Sequence, residues 1–176
     1  MATSISIVPL GIKSYSAGIS ALVLPAAATD VFSITGFNGG VVKVTKMIMG
    51  GVATAALASG ISLVKRTSPN TGGTATAVSG VLRDNTISEP SKALIQAYTA
   101  NPTLGAAVAP TGGNIGIMVL PLGTSAAPIN PLQIGLGDGG LLYPTLRSAN
   151  DVLAINMAGV TILGGLLTIN IEWTEE

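Results

Sequence analysis

Two short stretches have the residue spacing that nucleotide-binding and catalytic sites use. Gly135-Leu136-Gly137-Asp138-Gly139-Gly140 has the glycine density of a dinucleotide loop, where bare backbone approaches a pyrophosphate. It lacks the preceding strand, the helix start and the downstream acid of such a unit, so it reads as a flexible loop. Ser62-Leu63-Val64-Lys65 matches Ser-x-x-Lys, in which a lysine one helical turn away activates a serine. Its surroundings predict a strand, and strand positions three apart point to opposite faces.

The chain has no His and no Cys. A Ser-His-Asp triad, an imidazole base, a disulfide and a Cys/His zinc site are therefore excluded. A glycosidase pair needs only two carboxylates. The acids are Asp30, Asp84, Glu89, Asp138, Asp151, Glu172, Glu175 and Glu176. Most fall at expected turns or at the C-terminus, which predicts solvated acids and, for Glu172 to Glu176, a solubilising end. Asp138 could help to bind calcium, but it has no Asp-x-Asp partner. Trp173 lies on the apolar phase of a strand, which predicts core packing rather than a sugar-stacking platform. Met47, Met49 and Met157 read as core fillers. No catalytic residue, metal or cofactor is expected, and the chain is not expected to be an enzyme.

The elements that carry these residues belong to a chain of 176 residues, long enough for one domain with a real core. Eight basic and eight acidic residues cancel, and the densest basic spot is only Lys65-Arg66. Nucleic-acid binding by phosphate neutralisation is not expected. Charged residues make up 9% of the chain, against about 25% in an ordinary soluble domain. A folded monomer of this mass exposes roughly 7,900 Å², more than sixteen charged side chains can cover. Part of the surface is therefore expected to be buried against other subunits. Two uncharged windows, Met47 to Val64 and Val152 to Ile171, reach transmembrane length. Their glycines, serines and asparagines, and the alternation that ends the second, predict strands rather than membrane spans. Met1 to Leu10 lacks the basic start and apolar run of a secretory signal.

Leu167, Ile169, Ile171 and Trp173 alternate with Thr168, Asn170, Glu172 and Thr174, which predicts a strand with one buried face. Leu153, Ile155 and Met157 predict another, and the two are expected to pair as a hairpin, with room for a short strand at Val160 to Leu163. Val31 to Thr35 and Val41 to Met49 are expected to pair across the Asn38-Gly39 turn. In the second of these the apolar phase slips from Val42, Val44 to Met47, Met49, which predicts a β-bulge. Ile61 to Arg66 and Ile115 to Leu120 read as further strands, Thr67 to Ala77 as an exposed polar turn, and Ser88 to Ala100 as the one short helix. Pro121 to Tyr143 reads as one long excursion, since Pro128 and Pro131 would interrupt strands. About ten short strands suggest a sandwich or barrel. Residues 1–27 would form an N-terminal arm or first strand and residues 28–176 a single β-sandwich domain. Ile5, Ile7, Val8 and Leu10 in that arm would add to a neighbour's sheet edge.

Five segments carry a resemblance: VVKVTKM (41–47), LVKRTSPNTGGTATAV (63–78), AYTANPTLGAAV (97–108), LAINMAGVTI (153–162) and LLTINIEWTEE (166–176). With them the chain resembles head decoration or cement proteins of tailed bacteriophages. That resemblance implies an all-β, jelly-roll-like β-sandwich and a subunit, expected to be a homotrimer, that bridges the major capsid protein lattice on the virion surface. It implies no catalytic residues, and composition and charge give no expectation of a nucleic-acid or membrane partner. The alternative is a tail-fibre, head-fibre or baseplate module that binds a host surface glycan.

Overall fold

A computed structural model describes residues 12–84, 88–109, 112–137, 143–160, 162 and 164–176. Twelve strands run along them: β1 (Lys13–Val23), β2 (Asp30–Thr35), β3 (Val42–Val52), β4 (Leu57–Arg66), β5 (Thr74–Ala77), β6 (Val81–Leu82), β7 (Leu94–Ala100), β8 (Asn114–Leu122), β9 (Leu132–Gly135), β10 (Thr145–Leu146), β11 (Val152–Asn156) and β12 (Leu166–Glu175). They form two antiparallel sheets packed as a β-sandwich. The first has the order β10-β3-β12-β1-β6, with β9 also paired to β3, and the second β5-β7-β2-β11-β4-β8.

Alternation builds the first sheet. Leu167, Ile169, Ile171 and Trp173 of β12 point inward and are buried, with Val42, Val44, Met47 and Met49 beside them on β3. Burial of each such side chain stabilises the fold by about 1.5–3 kcal/mol. The slip in β3 is a bulge at Thr45: Glu172 faces Lys46 and the next residue, Trp173, faces Val44. The extra residue stays bonded. Thr45 Oγ1 donates to the Glu172 carbonyl at 3.1 Å, and the Thr45 carbonyl accepts from Leu136 N at 2.8 Å. In β1 a second irregularity falls between Ile19 and Leu22, where Ala21 takes a positive φ of 55°.

The second sheet faces it with Phe32, Ile34, Ile61, Leu63, Ile95 and Ile155. Its central strands β2 and β11 are buried on both faces. The connections after β4 and after β7 are laced together: Thr67 N donates to Ala106 O at 2.7 Å, and Thr71 and Thr103 exchange bonds.

Several expectations are corrected. No helix occurs among the described residues, and the segment expected to be helical holds irregular chain followed by β7. Ile95, Ala97 and Tyr98 are buried, and Ile, Tyr and Thr suit a pleated surface. Amides near Pro90 that resembled a helix start bond instead to the Glu175 carboxylate. Neither expected hairpin forms, because β2 and β11 lie in one sheet and β3 and β12 in the other. The Asn38-Gly39 turn has its left-handed glycine (φ 84°), but it turns the chain across the sandwich rather than back along a sheet. The excursion after β8 contains β9, which pairs with β3 beyond Pro131.

Candidate functional site

The residues singled out for chemistry are kept apart. Ser62 and Lys65 lie on β4, and the Lys65 ammonium bonds to the Thr145 carbonyl across the sandwich. Burial holds the Lys65 pKa below the usual lysine range. Gly135 ends β9 and Gly137 has a left-handed φ of 86°. Asp138 lies outside the described residues, as do Ile5, Ile7, Val8 and Leu10. Among the described residues no group of three or more acids gathers where it could hold a metal ion. Nor is any helix there long and apolar enough to cross a membrane. Trp173 is buried and stacks on Tyr15 with ring centroids 5.7 Å apart.

Two acids expected in solvent are buried anchors. Asp30 is fully buried on the outward side of the second sheet. It accepts from Arg66 Nε at 2.6 Å, Arg66 Nη2 at 2.7 Å, Asn70 Nδ2 at 2.8 Å and Asn156 Nδ2 at 2.7 Å. Arg66 Nη1 then reaches Gly105 O at 2.9 Å, and Asn70 Oδ1 accepts from Gly105 N at 2.9 Å. The cluster pins both long connections to the sheet. Glu175 is also buried. It accepts from Ser91 Oγ at 2.7 Å, Lys92 N at 3.1 Å, Ala93 N at 3.1 Å and Trp173 Nε1 at 3.0 Å. Each of these two sites spends its lone pairs on holding chain segments together.

Other charges gather where β1 begins and β12 ends. Lys43 pairs with Glu176 at 2.6 Å and Arg83 with Glu172 at 2.6 Å. Glu89 bonds Lys13 and lies 3.3 Å from Lys92. The hydrogen bond from Lys13, then that from Lys92, holds the Glu89 carboxyl below the ordinary range, and the bond to Glu89 raises the Lys13 ammonium above its own. A depressed carboxylate stabilises the fold above its unfolded pKa, and that contribution is lost as pH falls through the folded value. Urea midpoints should therefore fall less steeply with acidification below about pH 4.3 in Glu89→Gln than in the parent. Parallel curves for the two would contradict this role.

At the opposite end of the sandwich no charged side chain is exposed among the described residues. Four connections meet there: residues 24–29, 53–56, 123–131 and the described part of 157–165, and none of these stretches has a charged residue. Val23, Leu166 and Val52 lie abreast, Ala53 N donates to Gly123 O at 2.9 Å, and Met157 N donates to Thr29 O at 2.8 Å. Asp30, the acid next to this end in sequence, is fully buried. Val23, Ile129, Val160 and Leu166 are exposed among the alanines and glycines of these loops.

The uncharged surface continues onto β8, the last strand of the second sheet. Ile115, Ile117 and Val119 point outward with exposures of 50%, 75% and 61%. Behind them Leu120 and Leu122 are buried, and no charged residue occurs from Ala93 to Gly137. On the outer side of the first sheet, a groove of about 330 Å³ opens over Gly50 and Gly51 against Pro128, Ile129 and Pro131. None of these outward residues stood out as a site in the sequence. The signal available was a strand apolar on both faces, which is expected for a buried central strand but here belongs to an edge.

No protein-family model, curated protein or solved structure matches the chain.

Proposed function

We propose that the chain is a structural virion protein, a capsid decoration or cement subunit that sits on the coat lattice of a tailed bacteriophage and bridges its subunits. One observation supports this reading: among the described residues no charged side chain is exposed at one end of the sandwich, while the other end and the sheet surfaces hold the ion pairs. A free monomer gains nothing from an exposed, uncharged, aliphatic end. A lattice-bound subunit does, because burial of small apolar patches adds up over many symmetric contacts. The role is non-catalytic, with no cofactor, and the partners are the major capsid protein and further copies of the chain, in a homotrimer.

The strand order supports a jelly roll. With β1, β2, β3, β4, β8, β9, β11 and β12 taken as eight strands, first pairs with last, second with seventh, third with sixth and fourth with fifth. Contacts of β12 with β3 and of β11 with β4 complete two four-stranded halves, β1-β12-β3-β9 and β2-β11-β4-β8. This is one long antiparallel hairpin rolled into a sandwich, an arrangement found among viral capsid and lectin domains. Lectin-like glycan binding is the weaker reading. Of the six aromatic residues, Tyr15, Phe32, Tyr98 and Trp173 are buried, which leaves little stacking surface.

Val160→Asp places a charge on an exposed side chain of the uncharged end. Co-sedimentation with coat particles that lack the chain should fall about ten-fold or more, since a buried unpaired charge costs at least about 1.4 kcal/mol. The urea midpoint should stay unchanged. Undiminished co-sedimentation by the folded variant would refute attachment through this end.

A further inference from the structure

We infer that Asn38 is a site of spontaneous modification, at which the Gly39 amide nitrogen attacks the Asn38 side-chain carbonyl while Ala149 N–H holds the carbonyl oxygen. The sequence has a single Asn-Gly step. Every other asparagine precedes a residue whose side chain crowds such an attack, or a proline, which has no N–H to lose. Asn38 and Gly39 are exposed where the chain crosses from β2 to β3. Gly39 has a φ of 84°, and apart from its chain neighbours no atom lies within 4 Å of where a Cβ would stand. Among the described residues no group accepts from Gly39 N. Its proton is therefore open to solvent hydroxide.

The fold supplies the other half of the site. The turn after β10 is docked on the crossing by Gly36 N, which donates to Asp151 O at 2.9 Å, and it is closed by Asp151 N on Ser148 O at 3.1 Å. From this turn Ala149 N donates to Asn38 Oδ1 at 3.1 Å. Oδ1 is the atom that becomes negative when Cγ is attacked, and a backbone N–H aimed at that atom stabilises the charge as it forms. Gly39 N gives its proton to hydroxide and bonds to Asn38 Cγ. The Cγ–Nδ2 bond then breaks, and Nδ2 takes a proton from water and leaves as ammonia. Water opens the resulting cyclic imide at either carbonyl, which leaves aspartate or a β-linked isoaspartate. The net change is amide plus water to acid plus ammonia. The new carboxylate appears at the end that holds the Lys43–Glu176 pair, so the inference does not depend on how the uncharged end attaches.

The test incubates the purified, folded full chain at mildly alkaline pH and follows each asparagine by peptide mapping with mass spectrometry. Asn38→Asp provides the standard for the aspartate product. Asn38 should convert ahead of every other asparagine, with ammonia released in matching amount. Ala149→Pro removes the donor, and position 149 is the second residue of its turn, where proline is favoured. This variant should keep the parental urea midpoint and slow conversion at Asn38 by about two- to ten-fold, the weight of one hydrogen bond. A folded parent in which Asn38 lasts as long as the other asparagines would overturn the proposal. So would conversion of Ala149→Pro at the parental rate. If Ala149→Pro fails to fold, the ranking of asparagines within the parent still decides the matter.

Discussion

Asp30→Ala should lower the unfolding free energy by about 3–5 kcal/mol, the cost of breaking a buried ion pair by removing one partner. Arg66 would keep its charge in a site where its side chain is only 5% exposed, and Asn70 and Asn156 would each lose an acceptor. The damage should spread beyond the pair. Arg66 and Asn70 hold the Gly105 backbone, so the two long connections should loosen from the second sheet. Trp173 is the one tryptophan in the chain and is buried, so its emission reports global unfolding in urea. The paired change Asp30→Leu with Arg66→Met should cost much less than Asp30→Ala, since apolar replacement of a whole buried pair is often nearly neutral. A loss under about 1 kcal/mol in Asp30→Ala would contradict the assignment of the pair as the pin of this face.

Trp173→Ala should cost about 3–5 kcal/mol, in the range for deleting a large buried aromatic. The indole fills the first sheet's inner face, stacks on Tyr15 at a 17° interplanar angle, and donates to Glu175. Its loss leaves a cavity and also frees a carboxylate that orders Ser91, Lys92 and Ala93. Trp173→Phe keeps an aromatic ring but not the donor, so it should cost less, with the remainder read from Glu175. Circular dichroism in urea measures both variants. If Trp173→Ala is no worse than a surface change, within about 0.5 kcal/mol, the ring is not part of the core.

Strand identity was legible where one face only is apolar. Leu167 to Trp173 alternates cleanly because the outer side of β12 meets solvent, and the Thr45 bulge was visible as a slip in the same kind of pattern. Sheet membership was not legible. Asn38-Gly39 supplies a left-handed turn whether the chain returns along one sheet or crosses to the other, and nothing local in Val31 to Met49 distinguishes the two. The expected helix failed because Ala, Leu, Lys and Gln around Ser88 to Ala100 favour a helix locally. Pairing of β7 with β2 on one side and β5 on the other overrides that preference. Asp30 and Glu175 resembled solvated acids because their partners are remote in sequence, from Arg66 to Asn156 for the first and around Ser91 for the second. The candidate surface stayed hidden for a different reason. Lack of charge was plain in the composition, but its concentration at one end exists only after four separate connections are brought together.

The most direct test of the proposed virion role is a cryo-EM map of the particles formed in cells that express this chain from its own genome. Density for it is expected on the outer face of a phage coat at symmetric positions, with Val160 and Leu166 against coat subunits and the Lys43–Glu176 end facing solvent. A particle without the chain, or one that carries it on a tail or fibre with the uncharged end in solvent, would contradict the account.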